Sequence, residues 1–226
     1  TIDNIFTISE ITKADIKNFN AFFTPKSEAY ELIKLSGIKY NNNKIIDILE
    51  PTAGIGNLIV PLLDETIKNR KNFKIDCYEM IDTFYYIGKT IFEKIPNIKW
   101  YLGNSYSYDF NKKYDYIFTN PPFNIIDFNN TKNTLNDVDF LNKYYNLLKK
   151  DGLLCGIISV SYKTNNRPKY KKFRDNIQKL KNLDDNNVSI YEISGFKKDE
   201  TITKEMELKI NMVMIFIKKI ENFSLL

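Results

Sequence analysis

The chain has 226 residues, 43% of them hydrophobic and 27% charged, which suits one globular domain and excludes a disordered polymer. No apolar run approaches the roughly 18 residues of a membrane span, and no basic-then-apolar leader opens the chain. The formal charge is +5, histidine is absent, and the two cysteines, Cys77 and Cys155, sit inside apolar runs without a ligand cluster. Imidazole catalysis, a disulfide and a metal site are therefore not expected.

The first elements are two helices. One covers Thr7 to Phe19, and the other covers Thr24 to Ser36, with Pro25 at its start and Ala29, Leu32 and Ile33 facing inward. From Lys44 onward, short apolar runs alternate with amphipathic segments, the pattern of an α/β domain with a mainly parallel sheet. Lys44 to Leu49 reads as a strand, and a helix from about Gly56 carries Ile59, Leu62, Leu63 and Ile67 on one face. Phe73 to Glu79 is the next strand. Asp82 is expected to cap a helix with Phe84, Ile87, Ile91, Phe92 and Ile95 at helical spacing.

Ile98 to Leu102 and Tyr114 to Thr119 follow as strands. Val138, Leu141, Tyr145 and Leu148 mark a helix, with Lys149 and Lys150 at its C-terminal dipole and Gly152 as its exit turn. Leu153 to Ser159 is a buried strand. Pro168 opens a helix with Tyr170, Phe173, Ile177 and Leu180 inward, and Val188 to Ile193 and Met212 to Ile217 close the sheet. The Asn-rich stretches Asn124 to Asp137 and Tyr162 to Arg167 read as mobile loops near strand C-termini, the edge where open α/β sheets bind ligands.

The segment Asp47-Ile-Leu-Glu-Pro-Thr-Ala-Gly-Ile-Gly56 runs from a strand through a small-residue turn into a helix. Gly54 and Gly56 let a backbone approach a ligand closely. Ile59 stands where a dinucleotide fingerprint has its third glycine, and no Gly-Lys-Ser/Thr follows, which excludes a P-loop. Glu50 would repel a phosphate but suits a cationic amino acid group. Glu79 follows Gly56 at roughly the 20-residue offset where a carboxylate meets ribose hydroxyls. A nucleoside that carries an amino acid fits this turn better than NAD or ATP.

Asn120-Pro-Pro-Phe123 follows the apolar run Tyr116 to Thr119 directly. The two prolines fix the backbone, so the Asn120 side-chain oxygen and the Pro121 carbonyl can converge on one amino group. An aromatic amine is a poor nucleophile because its lone pair is delocalised into the ring. Two acceptors off the ring plane make its nitrogen more tetrahedral. Phe123 offers a face on which a flipped-out base can stack.

These motifs resemble the class I S-adenosylmethionine-dependent methyltransferases. Phe22-Phe23-Thr24-Pro25 ahead of the glycine turn is similar to the N6-adenine DNA methyltransferases of the gamma motif order. The resemblance implies a Rossmann-like fold, with a mainly parallel seven-stranded sheet, one antiparallel strand and flanking helices. It implies S-adenosyl-L-methionine as cofactor, held by Thr24, Glu50, Thr52, Gly54, Glu79, Ile81, Asn104 and Ser105. Asn104 stands where the family commonly has Asp, and its side-chain oxygen can still accept from the cofactor's adenine amine. Asn120, Pro121, Pro122 and Phe123 are the implied catalytic motif, and Phe196 is the second aromatic against the target base.

The expected activity is transfer of a methyl group to N6 of adenine in DNA. The alternatives are an RNA base, a protein glutamine amide, or a catalytically inactive subunit. Lys163, Arg167, Lys169, Lys171, Lys172 and Arg174 cluster as a patch that suits phosphates, with a solvated helix face as the plainer reading. Residues 1–226 are expected to form one catalytic domain, with residues 1–40 as an N-terminal helical segment carrying the Thr-Pro motif. No separate target-recognition domain is expected, so the loops at Asn124 to Asp137, Tyr162 to Lys172 and Lys197 to Glu207, or a partner chain, supply recognition. A soluble protein, cytoplasmic or nucleoid-associated, with no membrane contact, is the simplest setting.

Overall fold

A computed structural model describes residues 4–11, 23–38, 44–66, 73–127, 130–193 and 211–226. The later part of the first expected helix, Phe22, Ile67, Phe196 and the loop from Lys197 to Glu207 lie outside the described residues. Two helices, α1 (Ile5–Ile11) and α2 (Lys26–Leu35), precede β1 (Ile46–Glu50) and α3 (Ile59–Thr66). Then come β2 (Phe73–Glu79), α4 (Asp82–Phe92), β3 (Ile98–Leu102) and β4 (Tyr114–Thr119). A hairpin of β5 (Asn124–Asp127) and β6 (Asn130–Asn136) leads into α5 (Asp137–Tyr145) and β7 (Leu148–Ser159). The chain continues with α6 (Pro168–Leu183), β8 (Val188–Ile193) and β9 (Met212–Lys218).

The main sheet has seven strands in the order β3-β2-β1-β4-β7-β9-β8. β9 runs antiparallel to both of its neighbours, β7 and β8, while the pairs from β3 to β7 are parallel. Central strands are apolar on both faces because helices cover both. Alternate residues therefore enter different cores. Ile48, Cys155 and Met212 pack with α2, α3 and α4, while Leu49, Leu154 and Val213 pack with α5 and α6. The expected inward faces are buried: Ala29, Leu32 and Ile33 on α2, and Tyr170, Phe173, Ile177 and Leu180 on α6. Among the described residues, no helix is long and apolar enough to cross a membrane.

Three local expectations are corrected. The stretch from Asn124 to Asp137 is not an irregular loop but the β5–β6 hairpin, in which Ile125 pairs with Leu135. The hairpin ends at Asn136, whose backbone N–H donates to the Asp139 carboxylate at 2.9 Å and starts α5. Asp82 is the first residue of α4 rather than its cap; Ile81 holds the cap position, and Asp82 acts on the helix dipole instead.

The third correction concerns the end of α5. The helix stops at Tyr145 and Leu148 already opens β7, opposite Tyr114. Lys149 leaves the helix dipole and pairs with Asp47 at 2.8 Å and Asp115 at 2.7 Å. The strand then bulges, because Tyr114 pairs with Leu148 whereas Tyr116 pairs with Leu153. Asp151 takes a left-handed φ of 61° there. A Cβ on Gly152 would sit 2.9 Å from the Asp115 carbonyl oxygen and 3.0 Å from that of Lys149. Backbone atoms cannot swing aside as a side-chain tip can. Gly152→Ala is expected to lower the unfolding free energy by about 1–3 kcal/mol, read as a shifted urea midpoint; an unchanged midpoint would contradict this packing.

Candidate active site

The site lies at the C-terminal edge of β2, β1 and β4. The strand order reverses between β1 and β4, the crevice where open α/β sheets bind ligands. β1 delivers Glu50 into the turn from Pro51 to Leu58. Gly54 and Gly56 have φ of +56° and +101°, conformations that L side chains rarely adopt. Space demands glycine as well: a Cβ on Gly54 would meet the Phe23 ring at 3.0 Å, and one on Gly56 the Phe92 ring at 2.4 Å.

Glu79 ends β2 and is 7% exposed. Its Oε2 accepts from the backbone N–H of Gly54, and its Oε1 from that of Ile81, both at 2.7 Å. One carboxylate thus ties the β1 turn to the start of α4. Each oxygen keeps a second lone pair, so both can also accept from vicinal hydroxyls. Burial pushes the Glu79 carboxyl up to about 7, against the pull of the Ile81, Gly54 and Met80 amides.

Glu50 is 1% exposed. Its Oε1 accepts from the Thr52 backbone N–H at 3.1 Å and from the Thr52 hydroxyl at 3.2 Å. Burial raises this carboxyl to about 8; the Thr52 bonds oppose the rise and the charge of Glu79 adds to it. Among the described residues, neither carboxylate has a lysine or arginine partner. Thr52 also reaches across the switch point, its hydroxyl 2.9 Å from that of Thr119 at the end of β4.

Asn120, Pro121, Pro122 and Phe123 follow β4 directly, and Phe123 packs part-buried against the helix-covered core. The Asn120 Nδ2 donates to the Thr24 hydroxyl at 3.1 Å, which brings the Thr-Pro segment onto the Asn-Pro-Pro-Phe motif. The Asn57 Nδ2 donates to the Thr24 carbonyl at 2.9 Å. Phe23 adds an edge-on contact to Phe84, with centroids 5.0 Å apart.

Ile81 sits half-buried at the start of α4, next to Glu79. The Asn104 Oδ1 accepts from the Tyr106 backbone N–H at 2.9 Å, and its Nδ2 donates to Ser107, so the side chain shapes the turn after β3. Ser105 is buried; its hydroxyl donates to the Pro51 carbonyl at 2.6 Å and lies 2.7 Å from the Tyr144 hydroxyl. That hydroxyl braces the glycine turn from beneath. Phe196 lies outside the described residues.

The basic residues divide. Lys163 pairs with Glu192, Lys169 with Asp139 at 2.6 Å, and Arg174 donates to the carbonyls of Tyr162 and Asn165. Arg167, Lys171 and Lys172 are exposed. Arg174 thus ties down both ends of the Tyr162–Asn165 segment, which overlaps a 3-10 turn over Val160–Lys163.

Asn57, Thr119 and Asp137 escaped the sequence reading. Asp137 is 1% exposed and accepts from the Ser159 and Val138 backbone N–H groups, joining the hairpin base to the end of β7; burial raises its carboxyl to about 6. Asn57 and Thr119 each adjoin a recognised motif, and that adjacency was the available signal.

Residues 5–156 match the family of N-6 DNA methylases. The type II methyltransferase M.AccI of Acinetobacter calcoaceticus is 31% identical over 124 residues, covering 54% of this chain and 22% of that protein. The chain thus spans about a fifth of the length of that curated relative. Among solved structures, a methyltransferase subunit of a type I restriction-modification system from Streptococcus thermophilus superposes with a TM-score of 0.65 at 14% identity. It covers 89% of this chain and 45% of its own. A class I S-adenosylmethionine-dependent methyltransferase fold from Listeria monocytogenes gives 0.61 at 11% identity, covering 98% and 71%. At these identities the two likenesses speak for the fold, and the match over residues 5–156 carries the family: the chain belongs to the N-6 DNA methylases.

Proposed function

We propose that this site binds S-adenosylmethionine and directs its methyl group to the exocyclic N6 amine of adenine in DNA. The observation that carries the reading is the bond from Asn120 to Thr24, together with two buried carboxylates that have no lysine or arginine partner among the described residues. Those carboxylates and the glycine turn fit a cationic nucleoside that carries an amino acid. When bound, the group supplies an electrophilic methyl on a sulfonium.

The chain's own residues hold and align. Glu79 is assigned the ribose hydroxyls, Glu50 and Thr52 the amino acid end, and Ile81 and the Asn104–Ser105 turn the adenine. Thr24 takes the NH₂ end of the Asn120 amide, so its carbonyl end, together with the Pro121 carbonyl, is assigned to the target amine. No group has to remove a proton before attack, and rate comes from alignment and from acceptors aimed at the developing charge. Phe123 and Phe196 are assigned to flank the flipped base. Arg167, Lys171 and Lys172 are assigned to phosphates, with Lys163 and Lys169 joining by exchange of their acidic partners. Reading of the target sequence is assigned to the β5–β6 hairpin and to a partner chain or segment.

Asn120→Ala is expected to lower kcat by about 100-fold or more, with cofactor affinity within a few-fold of the wild type. Radiolabelled methyl transfer to DNA, RNA and protein in parallel reads this out. Transfer to RNA or protein in place of DNA would overturn the substrate assignment, and near-normal turnover in the variant would overturn the mechanism.

A pH dependence follows from the carboxylates. Both are raised from a usual 4.5, Glu79 to about 7 and Glu50 to about 8. Tyr144 and Cys77 also face Glu50, and neither brings positive charge. The stability these groups contribute is present below their unfolded value and lost as pH rises through about 7 and then 8. A cationic ligand prefers the ionised carboxylates, so its binding expels protons and tightens with rising pH across that window. The affinity is expected to rise by up to about tenfold per pH unit. Calorimetry in buffers of differing ionisation enthalpy measures the protons released; zero release near neutral pH would refute the linkage.

A further inference from the structure

Two hydrogen bonds run in series through Thr24. The Asn57 Nδ2 holds the Thr24 carbonyl at 2.9 Å, and the Thr24 hydroxyl accepts from the Asn120 Nδ2 at 3.1 Å. Asn57 closes the glycine turn and is 4% exposed; Thr24 is 3% exposed. Thr24 is fixed from its other sides too. Phe23 lies against Gly54 and Phe84, and Pro25 opens α2, whose Glu28, Ala29, Leu32 and Ile33 are buried. The Thr24 hydroxyl on this anchored backbone is therefore a fixed point against which the Asn120 amide is set.

An asparagine amide rotates about a broad terminal torsion and is poorly defined without a bond to one end. Here the acceptor aimed at a substrate amine would be that amide's oxygen. We infer that Thr24 and Asn57 are positioning residues for methyl transfer: the Thr24 hydroxyl sets the rotation of the Asn120 amide, and Asn57 holds Thr24 in place. This rests on the reading of Asn120 as the catalytic acceptor. It differs from the role that the sequence resemblance implies for Thr24, a contact to the cofactor's methionine end. One hydroxyl that serves the amide makes the step sensitive to Thr24 while cofactor binding is spared.

Asn57→Ala takes one donor from the Thr24 carbonyl. The Asn57 Oδ1 is buried and accepts no hydrogen bond among the described residues, so the substitution removes a bare acceptor together with the donated bond.

The test uses Thr24→Val, which keeps the shape and loses the hydroxyl, Thr24→Ser, which keeps it, and Asn57→Ala. Two readouts are taken. One is the side-chain ¹H₂–¹⁵N signal of Asn120, identified by its loss in Asn120→Asp. The other is kcat against the dissociation constant for S-adenosylmethionine, using adenine-containing DNA free of N6 methylation. In Thr24→Val the amide signal shifts or broadens and kcat falls by about 10- to 100-fold, while the cofactor constant stays within a few-fold. Thr24→Ser restores both, and Asn57→Ala gives a smaller loss of the same kind. An unmoved amide signal in Thr24→Val overturns the inference, as does weakened cofactor binding with kcat intact. Should the wild-type chain transfer no methyl group to DNA, the substrate reading falls, and the amide signal still decides the positioning role.

Discussion

The cleft depends on the Glu79 carboxylate, which ties the glycine turn after β1 to the start of α4. One oxygen takes the Gly54 amide and the other takes the Ile81 amide. A buried carboxylate is costly to ionise unless donors surround it. Backbone N–H groups supply that surrounding only when both turns adopt the required shape. The left-handed Gly54 is part of this, since it presents its N–H to Glu79 while leaving room for Phe23. Fold and site are thus specified by the same atoms, and the acid that shapes the cleft is the one assigned to the proposed ligand.

The two ends of the same strands show how differently acids are treated. At the N-terminal end, Asp47, Asp76 and Asp115 are matched by Lys44, Lys112 and Lys149 at 2.7–3.0 Å. Partial burial would raise Asp47 and Asp115, but their lysine bonds hold both below the usual carboxylate range. At the C-terminal end, Glu50 and Glu79 meet amides and hydroxyls and stay raised. Among the described residues, lysines stand beside the acids of these strands only away from the cleft. In the proposed reading, a cationic ligand would complete the second end as the lysines complete the first.

The sheet was legible because its strands are apolar runs bounded by turn residues; β2, β3, β4 and β8 have the boundaries the sequence implied. Leu148 misled because it satisfies both the helical spacing of α5 and the first position of β7, and only the pairing of Tyr114 with Leu148 decides between them. The β5–β6 hairpin was hidden by its asparagines, which favour turns on composition alone and conceal the Ile125–Leu135 pair. In the candidate site, motif spacing singled out Glu50, Gly54, Glu79 and Asn120, which the fold brings to one edge of the sheet. Asn57 was not, because its partner lies 33 residues earlier and no local rule links them. The bond from the Ser105 hydroxyl to the Pro51 carbonyl was not legible either, since 54 residues separate the two.

The distribution of charge in the cleft also accounts for a catalytic centre without histidine. In the proposed reaction the methyl group is already electrophilic, so a strong base is unnecessary, and an anionic oxygen beside the amine would compete with it as a nucleophile. Asn120 avoids this, because a neutral amide accepts from an amine without offering negative charge. The acids are kept at the cofactor end, and their oxygens are tied to the amides of Gly54, Ile81 and Thr52. A tied, buried carboxylate attracts a cation but is a poor nucleophile. The weak point of such a design is orientation, since a neutral acceptor exerts little pull and loses its effect when it turns. This is why the restraint on the Asn120 amide matters more here than the titration of any group near it.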